Sequence, residues 1–259
     1  MTLEGLVRRD RVLGGVGLAG LALLAWAYLV RLAAQMGSME SAAPIAMSMP
    51  MAEPWSADRF LLTVAMWAVM MVAMMVPAAS PMILIFATIN RRRAVLGTPA
   101  VPTMIFLAGY LAIWWAFSVV AAAAQLGLQQ ASLVSVGSLK AAPMVGGLLL
   151  LGAGFYQFTP LKQACLARCQ SPLGFILSEW REGRGGAFLM GLRHGGYCVG
   201  CCWALMALLF VAGVMNLIWV AALAALVLVE KVLPWERVVS WTTGALLVGW
   251  GMWVLVRSL

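Results

Sequence analysis

The chain's one histidine, His194, opens the run His-x-x-x-Cys-x-x-Cys-Cys with Cys198, Cys201 and Cys202. At 3.6 residues per turn, His194, Cys198 and Cys201 fall within about 60° of one another on a helix, and Cys202 sits at the edge of that face. Thiolate is a soft ligand and imidazole suits several transition metals, so this face reads as a metal site. A cysteine by itself is also a small, buriable hydrophobe. Four ligand-capable side chains within nine residues, in a chain with five Cys and one His, exceed what packing requires.

A second sulfur surface lies upstream, between Met66 and Pro81. Met70 and Met74 stack at i, i+4, and Met71 and Met75 do the same on the neighbouring face. Methionine fills irregular helix interfaces in any case, but here two thioether stripes run side by side. Pro77 and Pro81 remove backbone donors and so free carbonyls in the preceding turn. Within a membrane those carbonyls need protein or water partners, which points to a kink near a site or gate. Further upstream, Met47-Ser-Met49-Pro-Met51 is the spacing at which an extended chain turns successive thioethers to one side. A thioether is neutral and prefers Cu(I) to Zn(II), so copper is the expected metal; zinc and no metal at all are the alternatives.

Three further residues could support such a site. Glu230, near the inner end of an apolar segment, reads either as a snorkelling interfacial charge or as a carboxylate that orients His194. Its neighbour Lys231 points elsewhere on a helix, which leaves Arg193 or His194 as partners. Cys165 and Cys169, four residues apart on one face of a short inner amphipathic helix from Pro160 to Cys169, could relay a soft metal or simply sit in the interface.

The elements that must position these residues follow from composition. The chain has 259 residues, 64% hydrophobic and 10% charged, against ~45–50% and ~25% in soluble domains. So much apolar surface needs lipid, which excludes an ordinary water-soluble enzyme and a disordered chain. The reading is an all-α, polytopic helical bundle of the inner membrane. Seven segments approach the roughly 20 residues of a span: Val12 to Leu32, Phe60 to Ile89, Pro102 to Ala124, Pro143 to Phe158, Ala187 to Gly213, Met215 to Lys231 and Val238 to Val256. Six spans are the alternative, since the fourth and sixth are short. The first follows Arg8, Arg9 and Arg11 but is too long for a cleaved leader and lacks a cleavage site.

With the N-terminus cytoplasmic, thirteen of the 17 basic residues fall on the inner side; only Arg31, Arg59, Lys140 and Arg257 fall outside. The net charge of +8 thus reports topology, and no nucleic-acid surface is apparent. The expected organisation is an anchor helix at 1–33, a Met-rich outer loop at 34–59 and a metal-binding bundle at 60–259. Glycines 183, 185 and 186 should break the chain before the fifth span.

No hydrolytic triad, phosphate loop or dinucleotide fingerprint is present, so conventional catalysis has no visible machinery. Cys198-Val-Gly-Cys201 is nonetheless a Cys-x-x-Cys pair, and a membrane thiol-disulfide oxidoreductase is a competing class. Another is a structural or assembly subunit of a larger membrane complex. The stretch from Thr159 to Met206 contains Thr-Pro-Leu-Lys, Cys-x-x-x-Cys-x-Ser-Pro-Leu-Gly-Phe, Gly-Leu-Arg-His-Gly and Tyr-Cys-x-Gly-Cys-Cys-Trp-Ala-Leu-Met. With Met66 to Pro81 and Leu228 to Leu233, it resembles a bacterial family of predicted metal-binding integral membrane proteins of unknown function. The resemblance covers about residues 60–255 and implies metal binding by the matching positions Met70, Met71, Met74, Met75, His194, Cys198, Cys201, Cys202 and Glu230. The leading expectation is transport, delivery or assembly of a soft metal through an intramembrane Met/Cys/His cluster. Its partners would be the bilayer, the metal and either a copper chaperone or a larger complex.

Overall fold

The computed structural model describes residues 3–42, 56–95, 101–135, 139–233 and 235–258. Among them every extended element is helical: α1 (Leu3–Ala42), α2 (Ala57–Val95), α3 (Thr103–Gln130), α4 (Pro143–Gln157), α5 (Pro160–Gln170), α6 (Pro172–Glu179), α7 (Gly183–Ala207), α8 (Leu209–Ala212), α9 (Leu217–Val232) and α10 (Glu236–Ser258). An isolated bridge between Val134 and Ala141 closes the α3–α4 connection. Met47, Met49 and Met51 lie outside the described residues. The described flanks of the expected outer loop are largely helical, because α1 runs on to Ala42 and α2 begins at Ala57.

Among the described residues five stretches are long and apolar enough to cross a membrane: Gly14–Gln35, Ala57–Ala94, Thr103–Gln130, Gly183–Ala212 and Arg237–Ser258. The pair α4 and α5, bent by 66°, makes a sixth if it counts as one span. Against the expected seven, α9 is the difference: its 16 residues reach about 24 Å, short of the ~30 Å hydrocarbon layer. Large apolar side chains such as Leu24, Leu177, Ile218 and Leu246 stand exposed around the bundle, a surface compatible with lipid.

Sequence explains each break. Thr159 accepts from the Lys162 amide and Pro160 occupies the first turn of α5, so the chain ends α4 and restarts at an angle. The glycine run does not sit in a loop: Gly183, at φ +76°, makes the turn after Glu182, and the other two glycines form the first turn of α7. α2 continues through both prolines. The carbonyl that Pro77 frees, Ala73 O, accepts from Trp26 Nε1 of α1 at 3.2 Å. The one that Pro81 frees, Pro77 O, accepts from Ser80 Oγ at 2.8 Å. Protein donors thus satisfy both, and no break in the helix results.

Two crossings set the bundle. A Cβ on Gly109 of α3 would lie 2.2 Å from Phe188 O of α7, and one on Gly191 of α7 would lie 2.1 Å from Phe106 O of α3. The backbones touch there, as small residues allow between helices in lipid. Gly154 of α4 and Gly244 of α10 make the same reciprocal approach, each ideal Cβ 3.0 Å from the other's carbonyl oxygen. The short helix expected at Pro160 to Cys169 is present as α5, with one face buried. Its Lys162, Leu166 and Cys169, at i, i+4 and i+7, are buried because the helix packs inward against α7 and α9.

Candidate metal centre

The α3–α7 crossing sets the depth of the site. One turn beyond Gly191 comes His194, and then Cys198, Cys201 and Cys202, all four buried. The thiols of Cys201 and Cys202 both donate to Cys198 O, at 3.1 and 3.0 Å, and so fold back on their own helix. The Cys198 thiol is directed at other elements. Lys231 Nζ of α9 donates to its sulfur at 2.8 Å, and the Tyr110 hydroxyl of α3 lies 3.1 Å from the same atom. Lys231 is itself buried, so a positive charge stands inside the bundle against the sulfur that a soft cation would bind.

His194 lies in an aromatic box. Its ring stacks on Tyr110 at 5.6 Å and Phe106 at 6.1 Å, and meets the edge of Phe175 at 5.5 Å. Nδ1 is buried and has no hydrogen-bond partner among the described residues. An imidazole nitrogen without a partner is a free ligand position and is otherwise costly to bury.

Glu230 does not orient this histidine. Both of its carboxylate oxygens accept from Lys162 Nζ of α5, at 2.7 and 2.8 Å, and Ser240 Oγ donates to one of them at 3.3 Å. Lys162 also donates to Gln157 Oε1. Arg193, the other partner expected for Glu230, pairs with Glu179. The physical reason is burial: Lys162 is fully enclosed beside Glu230, and a buried ammonium takes the nearest carboxylate.

The inner cysteines join the site from α5. Cys169 is buried on α5, which packs on the cysteine-bearing α7. Cys165, half-buried, lies against Gly200, where a Cβ would stand 2.7 Å from its sulfur. Glycine at 200 is therefore what lets α5 and its cysteines approach the cysteine turn of α7.

Met70, Met71, Met74 and Met75 of α2 are all buried. They belong to the same buried cluster as Cys198, Cys201 and Cys202, while α2 packs mainly on α1 and α3, and α7 mainly on α3 and α5. Tyr110 links the two helices, its hydroxyl donating to Met75 O at 3.2 Å while touching Cys198. The donors available, thiol, imidazole and thioether, match a soft ion such as Cu(I). Among the described residues no three His, Cys, Asp or Glu side chains form a group that could hold a metal ion.

Residues 64–254 match the family described as PpoB2, copper chaperone. The chain belongs to this copper chaperone family. No curated protein and no solved structure matches it. The matched region takes in the methionine stripes and every helix from α3 to α9, and leaves out α1.

Three residues packed among the buried cysteines and Glu230 were not picked out from sequence. Sequence gives Lys231 no role beyond diverging from Glu230, yet it is buried against Cys198. The signal was adjacency: Glu230 and Lys231 diverge on a helix, so two opposite charges there require two different partners. Tyr110 is the one hydroxyl between Phe106 and Phe117 of an otherwise apolar span. Lys162 carried no signal beyond the cost of a charge in a short segment packed on lipid-facing helices.

Proposed function

We propose that this chain is an integral membrane chaperone that carries Cu(I) as cargo on an intramembrane cluster of Cys198, Cys201, Cys202 and His194. The thioethers of Met70, Met71, Met74 and Met75 serve the same ion. Cys165 and Cys169 exchange it with a recipient, such as a larger membrane complex, and Met47, Met49 and Met51 capture it outside. Glu230 acts only through its pair with Lys162. In this reading the N-terminus is cytoplasmic and residues 1–33 are an anchor. The bent α4–α5 pair and the short α9 each traverse the layer to complete seven passages.

One observation carries the proposal: a buried sulfur, Cys198, held between Lys231 and Tyr110, one turn from a buried imidazole nitrogen with no partner among the described residues. Bare thiolates in a low-dielectric interior are unfavourable, and a bound cation neutralises them. Cu(I) suits this site because it accepts few ligands and prefers sulfur. The test is a Cu(I) titration of the anaerobically purified protein in detergent against a chromophoric chelator, with elemental analysis. Wild type should retain copper, and Cys198→Ser combined with Cys201→Ser should lose it. Equal copper in wild type and the double variant would refute the assignment.

A further inference from the structure

One face of α3 carries a line of buried polar groups of which the cysteine site uses only Tyr110. Tyr110, Trp114, Ser118, Gln125 and Gln129 all lie within about 100° on the helix, and each is at most 6% exposed. Two hydrogen bonds pin this line to α2: Trp67 Nε1 donates to Gln125 Oε1 at 2.7 Å, and Tyr110 donates to Met75 O at 3.2 Å. The helices are therefore antiparallel, and the methionines between Trp67 and Met75 run alongside the polar line. Met71 and Met74, at i+4 and i+7 from Trp67, share the face that Trp67 turns to α3.

Two groups on that line are buried without a partner among the described residues, the Trp114 Nε1 donor and the Gln129 Oε1 acceptor. Packing alone gives no reason for either, since an apolar side chain would avoid the penalty of an unpaired polar atom. The line begins at Gln129, one residue from the C-terminal end of α3. It ends at Tyr110, whose hydroxyl touches Cys198. Arg91, Arg92 and Arg93 mark the opposite end of the bundle, at the C-terminus of α2.

We propose that the α2–α3 interface is a conduit for a soft monovalent cation, leading from the Gln129 end of the bundle to Cys198. Thioethers at Met71 and Met74 serve as stations, and the α3 polar groups as a hydrated wall. Neutral thioethers suit passage, because they hold Cu(I) without the counter-charge that would trap it. This inference rests on Cu(I) being the cargo, and it adds the route and the loading side.

The test uses full-length protein in sealed membrane vesicles, with Cu(I) supplied as a water-soluble chelate on one side. Loading is read as protection of Cys198 and Cys201 from N-ethylmaleimide by mass spectrometry over time. With Cu(I) at the Gln129 side, Met71→Leu combined with Met74→Leu should slow protection at least tenfold. Trp114→Phe, which removes one unpaired N–H and little volume, should slow it severalfold. Wild-type rates in both variants would overturn the conduit, as would faster wild-type loading from the Arg91 to Arg93 side. Absence of protection in detergent-solubilised wild type, where both ends are open, would instead remove the cargo reading, and the conduit with it.

Discussion

The pair of Lys162 and Glu230 is the strongest structural commitment in the chain outside the cysteines. The ammonium sits 2.7 and 2.8 Å from the two carboxylate oxygens, with side chains 0% and 2% exposed. Removing one member strands a charge in the interior, at a cost of about 3–5 kcal/mol. Lys162→Met and Glu230→Leu should each reduce the folded-to-unfolded ratio by roughly two to three and a half powers of ten. Removing both strands no charge and replaces the pair with apolar volume. Only Gln157 and Ser240 then lose partners, at about 1 kcal/mol apiece, so the double variant should cost about 2 kcal/mol. The coupling energy should therefore be about 4 kcal/mol or more. Equilibrium unfolding in mixed micelles, with helicity followed by circular dichroism, measures the cycle. Additive single costs, or a Glu230→Leu cost below about 1 kcal/mol, would show that the pair does not carry the buried charge in this way.

Two further substitutions separate structure from copper handling. Gly191→Ala places a Cβ 2.1 Å from Phe106 O, about 1.3 Å inside the 3.4 Å of ordinary contact, so α3 must retreat from α7. The expected cost is about 1–3 kcal/mol, read as a lower melting temperature. Copper affinity should fall with it, because Tyr110 leaves the 3.1 Å contact with Cys198; unchanged stability and affinity would deny the backbone contact. His194→Phe should leave the copper-free protein as stable as wild type or more stable, since it keeps the aromatic box and removes the unpartnered Nδ1. Copper affinity should drop about tenfold, one ligand's worth of roughly 1.4 kcal/mol. Competition with a chelator and chemical denaturation measure the two, and a destabilised variant with normal copper affinity would reassign His194 to packing.

Local rules carried the reading of the sequence a long way. The all-helical character, the first, second, third, fifth and seventh segments, and the bend at Thr159 to Pro160 all follow from hydropathy, proline and capping chemistry. The need of Ala73 O and Pro77 O for protein donors follows from Pro77 and Pro81 alone; which donors, Trp26 and Ser80, does not. What escaped depends on burial of charge. Lys162 and Lys231 have long stems that normally reach an interface, and only the tertiary neighbours Glu230 and Cys198 decide that they stay inside. The packing of α3 on both the methionine and the cysteine helices was equally out of reach. The glycines that permit it, Gly109 and Gly191, are common in apolar helices and declare nothing until their partner is known.

Glu230 and Lys231 together connect the fold to the site. Consecutive residues on a helix project about 100° apart, so the two cannot share a partner, and each fixes α9 to a different neighbour. Glu230 holds α5 through Lys162, and α5, with its buried Cys169, packs on α7. Lys231 holds the sulfur of Cys198 on α7. Gln170 at the end of α5 adds a third tie, donating to Glu230 O at 2.5 Å. A rotation of α9 that frees Cys198 from Lys231 must therefore strain the Lys162 contact and the Gln170 bond. The two cysteine-bearing helices and the ammonium thus form one mechanical unit. Movement of α5 away from the cysteine turn of α7 would disturb the pair of Lys162 and Glu230 and, through α9, the ammonium beside Cys198.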